Sequence, residues 1–427
     1  MLEVNYIRAN KDAIVERLEA RNLSPEVIHS MLDNAITIDD DRKRIQTELD
    51  QLNNQTNTIS KQIGELFKAG KREEAETLKA EVNAINEKSK VQNDALKAAK
   101  EKLIEQLLDI PNVPHSSVPK GNTDEDNEVY KAWEGALPEL TGEALPHWEL
   151  AEKYQMIDFK LGVKITGAGF PLYRGKGSKL QRALINFFLD EAEKAGYEEI
   201  IPPLLVNEDS ARGTGQLPDK EGQMYHVTKD ELYLVPTAEV PLTNIYRDVI
   251  LKESDFPKKI TGYTPCFRRE AGSYGAHVKG LNRVHQFDKI EIVQVTHPDK
   301  SYEVLEEMME HVAGILTKLE LPFRILRLCG GDLGFASALT YDFETYSAAQ
   351  KKWLEVSSVS NFVTFQTNRL KLRFKDANGK MQLAHTLNGS ALALARIVAS
   401  LMENHQTPDG IRIPEALRPY TGFDMIS

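Results

Sequence analysis

Two apolar series in the first hundred residues are mirror images of each other, and this feature constrains the fold more than any other. The first runs Ile38, Ile45, Leu49, Leu52, Ile59, Ile63, Leu66, with polar Arg42 and Thr56 at the two places where the alternation of three and four would break. The second runs Ala75, Leu78, Val82, Ile85, Ser89, Gln92, Leu96, Ala99, Leu103. Opposed positions share a constant sum of 141, as in Leu66 with Ala75, Ile59 with Val82, Leu52 with Ser89 and Ile45 with Leu96. Such a reflection needs two antiparallel helices on one seam, spanning about 38–103, with a turn near Gly70 and Lys71, where "FKAGKRE" supplies the glycine a helix end favours. At about 1.5 Å per residue the hairpin projects roughly 40 to 45 Å. The seam is one stripe wide, so most of its surface must face water.

Charge distinguishes this arm from the remainder. Residues 38–103 hold 13 Lys plus Arg and 13 Asp plus Glu, so the whole net charge of −11 falls on the rest of the 427-residue chain. The arm is therefore the less repulsive place for a polyanion, and Lys61, Lys68, Lys71 and Arg72 near its tip can meet a phosphate backbone. The alternative is a solvated coiled coil that spaces or dimerises. Only Cys266 and Cys329 occur, too few for a disulfide framework, which fits a reducing compartment. No secretory h-region and no membrane-length apolar run is present. The expectation is a cytoplasmic protein with no membrane association.

The segment "DIPNVPHSSVPKGNTDEDNE" punctuates the chain and sets a domain boundary near Asp109, giving domains 1–109 and 110–427. Beyond it, a helix is expected at 178–195, followed by a strand in "YEEIIPPLLVN" stopped by Pro202 and Pro203. Further strands are expected at 232–235, 262–269, 285–293, 353–358, 361–374 and 381–386, with helices at 299–319 and 389–404. Strands joined by hairpin-sized loops, with helices to one side, argue an antiparallel sheet in an α+β domain. No phosphate-binding P-loop, dinucleotide fingerprint or internal repeat is present.

Two stretches of this second domain read as chemistry. In "TPCFRREAGSYGAHVKGLNRVHQFDKIEIV" (264–293), paired strands would put Arg268 and Glu270 on one face and Arg269 on the other, with His285, Phe287, Lys289 and Glu291 sharing a face of the return strand. Gly272, Gly275 and Gly280 would let the intervening loop close over a ligand, with Arg283 at its exit. Guanidinium groups suit phosphate oxygens, a ring offers a stacking face, and a carboxylate pairs with an amine. A surface ribbon whose Arg and Glu pair across strands is the plainer alternative. In "AHTLNGSALALARIVASLMENHQ", a helix apolar on nearly every side carries Arg396, and a buried guanidinium needs an anion, either a structural carboxylate or a ligand phosphate. Asn388, Gly389 and Ser390 stand at the expected helix start, where they would cap it or hold a small polar substrate.

With these residues in view, "FRRE" and "RVHQFDKIE" resemble motif 2 of the class II aminoacyl-tRNA synthetases, "GSALALARIVASLMEN" their motif 3 and "AGYEEIIPPLL" their motif 1. Within that class the chain is similar to the bacterial-type seryl-tRNA synthetase family, through the arm and through "IPNVPHSSVPKG", "GTGQLP", "PTAEVPLTN" and "GDLGFASALTYDFE". The resemblance implies an antiparallel six-stranded sheet flanked by helices and a homodimer joined through the motif 1 region. It implies that L-serine and ATP give seryl-adenylate, and that the seryl group passes to the 3′ end of tRNA(Ser), and also of tRNA(Sec), with the arm gripping the tRNA.

The resemblance also implies roles for individual residues. Arg268 would hold the α-phosphate and the serine carboxylate, and Arg396 the γ-phosphate; Arg269, Glu270 and Arg283 would fix ATP, and Phe287 would stack on adenine. Thr237, Ala238 and Glu239 would take the amino group, with Glu291, Asn388 and Ser390 completing the serine site. Glu355, Val356, Ser357 and Ser358 would line the ATP site, Glu355 and Ser358 as ligands of Mg²⁺. Strict strand alternation pairs Glu355 with Ser357 instead, and a local bulge would reconcile the two. No zinc is expected. The chain departs from the family pattern at Gly330, Tyr346, Val359 and in "LPDKEGQMY" after Pro218, none of them an implied catalytic position. Two other readings stay open, a ligase that loads a carrier protein and a non-catalytic coiled-coil protein.

Overall fold

The structure is a computed structural model that describes residues 1–140, 144–270 and 279–427. The chain divides into two compact units, one of residues 1–19 with 23–111, the other of residues 20–22 with 112–427. The first unit is helical: α1 (Val4–Leu18), α2 (Pro25–Lys68) and α3 (Arg72–Leu108). The long pair begins earlier than the apolar series, because Ser24 caps α2 through its side chain and Pro25 occupies the first turn. The turn falls at Gly70 and Lys71, as the mirror symmetry requires. Between Asp50 and Gln92 every position that is not fully exposed belongs to the two mirrored series. At the base, Asp39 is 3% exposed and gathers Arg8, Arg42 and Lys43. Burial pushes its carboxyl up, but the three cations outweigh that and hold it at about 2.

The second unit is built on a sheet of eight strands: β1 (Glu128–Lys131), β2 (Glu198–Glu199), β3 (Lys258–Phe267), β4 (Gln286–Thr296), β5 (Phe323–Arg327), β6 (Leu339–Ser347), β7 (Lys352–Val363) and β8 (His385–Ala393), in the order β1-β5-β6-β7-β8-β4-β3-β2. The six strands from β5 to β3 are antiparallel throughout, which is the sheet the sequence resemblance implies; β1 extends one edge, and β2 adds a short parallel pairing at the other. Among its helices are α4 (Gly175–Lys194), α5 (Glu239–Asn244), α6 (Ser301–Lys318), α7 (Phe365–Leu370) and α8 (Leu394–Asn404). Leu184, Phe188, Met308, Val312, Ile397 and Val398 join the sheet residues Ile290, Phe343 and Val359 in one apolar core. Three-stranded sheets elsewhere contain Leu205–Asn207, Leu232–Leu234 and Met381–Leu383, so the expected strand at 232–235 lies outside the main sheet, while those at 197–207 and 381–386 are each split, giving the main sheet only Glu198–Glu199 and the start of β8.

Three expectations are overturned. Residues 361–374 are not one strand: β7 runs on to Val363, then α7 forms and buries Phe365, Gln366, Thr367 and Leu370, the Gln366 amide being tied to Thr214, Glu239 and Thr386. The helix expected from 389 starts only at Leu394, because the backbone of 386–390 is paired with β4 on one side and β7 on the other. Asn388, Gly389 and Ser390 are thus strand residues and cap nothing. A register shift between Ser390 and Ala393 releases the chain from the sheet into α8. Finally, β3 ends at Phe267, so Arg268 to Glu270 leave the strand, and Glu270 has a φ of 46°.

Two seam hydroxyls, on Thr56 and Ser89, are buried without a hydrogen-bond partner. Ser89→Ala removes one of them and favours the helix, so it should stabilise the arm by about 1 kcal/mol. Thermal and denaturant unfolding of the full chain measures this, and a destabilised variant would contradict the seam packing.

Candidate active site

Strand β8 lies between β7 and β4, and the register of these strands assembles two adjoining sets of side chains. In the first set, Ser390 stands opposite Glu291, and Asn388 lies two residues back on the same face. Glu291 is 2% exposed, Lys289 6%, Glu239 8% and Thr237 4%. The Lys289 ammonium pairs with Glu291 at 2.5 Å, and the Thr237 hydroxyl donates to the same carboxylate at 3.0 Å while accepting the Glu239 backbone N–H. Gln366 donates to Glu239 at 2.7 Å. Burial pushes the Glu239 carboxyl up to about 7, with the nearby Glu291 charge adding and Lys289, Gln366 and Asn388 opposing. Two carboxylates against one ammonium leave this pocket one cation short when both are ionised. It is built for a small group that brings a positive charge and hydrogen bonds.

The second set is rich in arginine. Arg396 donates to the Glu355 carboxylate at 3.0 Å, to the Glu355 carbonyl at 2.7 Å and to the Asn282 carbonyl at 3.2 Å. Its side chain is 27% exposed, so Arg396 interrupts the burial of α8, whose other residues are all buried. Arg283 pairs with Glu270 at 2.7 Å. Arg268 donates to the Pro236 carbonyl at 3.2 Å and lies 5.3 Å over the Phe287 ring, and it makes no ion pair among the described residues. Arg269 is exposed, and its backbone is tied to the Gln223 carbonyl in the loop after Pro218, which Asp219 braces through the N–H groups of Gln223 and Met224. Partial desolvation of the half-exposed Glu355 side chain raises its carboxyl, but Arg396, then Arg268 and Arg283, outweigh that and hold it below its ordinary value. Arg268 and Arg396 therefore both act on one carboxylate.

The bulge that the sequence required is present. The register of β6 and β7 slips between Phe343 and Glu344, leaving Val356 as the extra residue between Ser357 and Glu355. Val356 and Ser357 are buried, with Ser357 donating to the Ser390 carbonyl at 2.5 Å, while Glu355 and Ser358 are more exposed. Glu355 and Ser358 both act on the Asp342 carboxyl, the first through its charge and the second through a hydrogen bond, whereas the Val356 and Ser357 side chains are buried.

Sequence reasoning missed several residues here. Asp342 stands opposite Ser358, and burial with the Glu355 charge pushes its carboxyl well above the usual range, against a Ser358 hydrogen bond. The Asp342 Oδ1 is buried without a hydrogen-bond partner among the described residues. Its signal was an acid between Tyr341 and Phe343 in a strand. Gln366 gave none. The glycine loop with Gly272 and Gly275 lies outside the described residues. Of the departures from the family pattern, Gly330 has a steric cause, since a Cβ there would fall 1.8 Å from the Ala20 carbonyl oxygen.

An antiparallel class II sheet carrying a cation-seeking pocket beside an arginine cluster defines a class of protein, and comparison with known proteins agrees. Residues 224–405 match the tRNA synthetase class II core domain (G, H, P, S and T), and residues 1–114 match the seryl-tRNA synthetase N-terminal domain. The chain is 47% identical to the serine–tRNA ligase of Salinibacter ruber and 44% identical to that of Chloroherpeton thalassium, over all of this chain and 99% and 100% of theirs. It is also similar to the crystal structures of seryl-tRNA synthetase from Pyrococcus horikoshii complexed with ATP (TM-score 0.89, 32% identity, 100% and 99% of the two chains) and of the cytoplasmic serine–tRNA ligase of Naegleria fowleri in complex with AMP (TM-score 0.86, 27% identity, 100% and 99%). The chain belongs to the seryl-tRNA synthetase family.

Because the unfolded chain ionises Glu239 near the ordinary 4.5 and the folded chain only at about 7, folding is progressively disfavoured as pH rises between those values. Glu239→Gln removes this slope. The stability of wild type relative to the variant should fall as pH rises across that window, measured by denaturant unfolding, and a difference independent of pH would contradict the buried acid.

Proposed function

We propose that the arginine cluster holds ATP and the adjoining pocket holds L-serine, and that the chain ligates serine to tRNA through seryl-adenylate. The serine–tRNA ligase activity follows from family membership over the full length. What supports the assignment of the cleft is Arg268: a guanidinium without a carboxylate partner among the described residues, between the cation-seeking pocket and the Arg396–Glu355 pair. In this reading the serine ammonium supplies the charge that Glu239 and Glu291 lack, Thr237, Ala238, Asn388 and Ser390 enclose the small side chain, and Arg268 receives the carboxylate together with the α-phosphate. Arg269, Glu270, Arg283, Phe287 and Arg396 hold the rest of the nucleotide. The serine carboxylate attacks the α-phosphorus and pyrophosphate leaves; the terminal adenosine hydroxyl of the tRNA then takes the acyl group. No side chain acts as a nucleophile, so positioning and fixed positive charge carry the chemistry.

Oxygen donors from Glu355 and Ser358, with the unpartnered Asp342 oxygen beside them, fit Mg²⁺, which would screen the phosphate charge there. Among the described residues no group of three or more His, Cys, Asp or Glu is set to hold a metal, so a Mg²⁺ here would take its further ligands from phosphate. The domain of residues 1–109 serves tRNA(Ser), and tRNA(Sec), through the near-neutral arm and its basic tip, by shape and phosphate contact. The motif 1 segment leaves Ile201 88% exposed with Leu204 and Leu205 beside it, which supports a homodimer through this region. The compartment is proposed to be the cytoplasm. No described helix is long and apolar enough to cross a membrane.

Amino-acid-dependent exchange between ATP and pyrophosphate tests the reading. Exchange should occur with serine, and fall on the order of a hundredfold or more with alanine, which leaves the polar groups unpaired. Absence of serine-dependent exchange would refute it. Deleting residues 40–100 should leave exchange intact and abolish tRNA charging; undiminished charging would remove the arm from recognition.

A further inference from the structure

His147 and Glu403 are fully buried against each other and take no part in the chemistry above. Glu403 lies on α8, the helix that carries Arg396. Its carboxylate accepts the His147 Nδ1–H at 2.7 Å, the His147 backbone N–H at 2.9 Å, the Gln350 amide at 3.0 Å and the Ser347 hydroxyl. Burial raises this carboxyl, and the hydrogen bonds, those of His147 foremost, bring it below its ordinary value. The other ring nitrogen, Nε2, accepts the Leu281 backbone N–H at 2.8 Å. A nitrogen that accepts carries no proton, so the ring is the neutral tautomer with its hydrogen on Nδ1.

Leu281 belongs to the chain returning from β3 to β4, and its neighbours reach the nucleotide side of the cleft. The Asn282 carbonyl accepts from Arg396, and Arg283 pairs with Glu270. On the other side, Lys279 stands 4.7 Å over the Trp148 ring. Gly280 leaves no room for a side chain, since a Cβ would fall 2.2 Å from His147 Nε2. The histidine's own segment is stapled to the end of α8 by Gln406, which bonds both the N–H and the carbonyl of Leu145 at 2.9 Å. One helix thus carries Arg396 directly and, through Glu403 and His147, the loop whose carbonyl orients Arg396.

We propose that His147 is a positioning residue for the nucleotide: by accepting the Leu281 N–H it fixes residues 279–283, and with them the Asn282 contact to Arg396 and the Arg283–Glu270 pair. The proposal rests on the reading of this cleft as the ATP site. In the full-length protein, His147→Asn retains a donor toward Glu403 and loses the acceptor for Leu281, whereas His147→Gln can place an amide oxygen where Nε2 was. His147→Asn should raise KM for ATP in serine-dependent exchange by about tenfold, the effect of one hydrogen bond, with kcat and KM for serine little changed. His147→Gln should restore KM for ATP to within about twofold of wild type. Gly280→Ala, which pushes a methyl into the same contact, should raise KM for ATP as His147→Asn does. Equal KM for ATP in the Asn and Gln variants, an unchanged value in Gly280→Ala, or a His147→Asn chain that does not fold would each overturn the proposal. Wild-type exchange measured alongside tests the ATP reading separately.

Discussion

The cleft depends on the carboxylate of Glu355. It binds Arg396 directly and lies within the fields of Arg268 and Arg283, so one negative charge offsets the mutual repulsion of three guanidinium groups on a single face. One carboxylate cannot satisfy all three. Among the described residues Arg283 has Glu270, Arg396 has Glu355, and Arg268 has a carbonyl and a ring but no carboxylate. The resulting excess of positive charge is what a polyphosphate would meet, on a protein whose net charge is −11. The bulge at Val356 is essential to this arrangement, because without it Glu355 and Ser358 would point to opposite faces of the sheet.

Beside the cationic cleft the same sheet holds its electrostatic opposite. Glu239 and Glu291 face one ammonium in a pocket almost closed to water, where burial, and then the Glu291 charge, push the Glu239 carboxyl up. An amino acid whose ammonium enters this pocket while its carboxylate turns toward Arg268 satisfies both sides at once. The two sets need a rigid common frame. Strand β8 provides it, pairing on both edges before leaving the sheet as α8, so that Ser390 and Arg396 are joined by a few residues of fixed backbone.

Much of this was legible in the sequence, for identifiable reasons. The arm was readable because its period and its reflection are independent constraints that agree, and polar Thr56, Ser89 and Gln92 obey the mirror although apolar periodicity alone would discard them. The hairpin holding Phe287, Lys289 and Glu291 was readable from alternation. The start of α8 was not, because "ALALARIVASLM" (391–402) is apolar apart from Arg396 and Ser400, and a buried central strand and a buried helix then look alike. Helix α7 was hidden for a related reason: "NFVTFQTNRLKLRF" is rich in β-branched and aromatic residues, and the hydrogen bonds of Gln366 that fix the helix come from residues 20 to 152 positions away. Asp342 and His147 became visible only with their partners in place, since nothing local distinguishes them from ordinary strand and helix polar residues.

A crystal structure of the protein with a non-hydrolysable ATP analogue tests the central claim most directly. The account predicts one triphosphate with oxygens within hydrogen-bonding distance of both the Arg268 and the Arg396 guanidinium groups, on the face of the sheet that carries Glu355 and Ser358. A nucleotide that reaches only one of the two arginines, or that binds elsewhere, would contradict it.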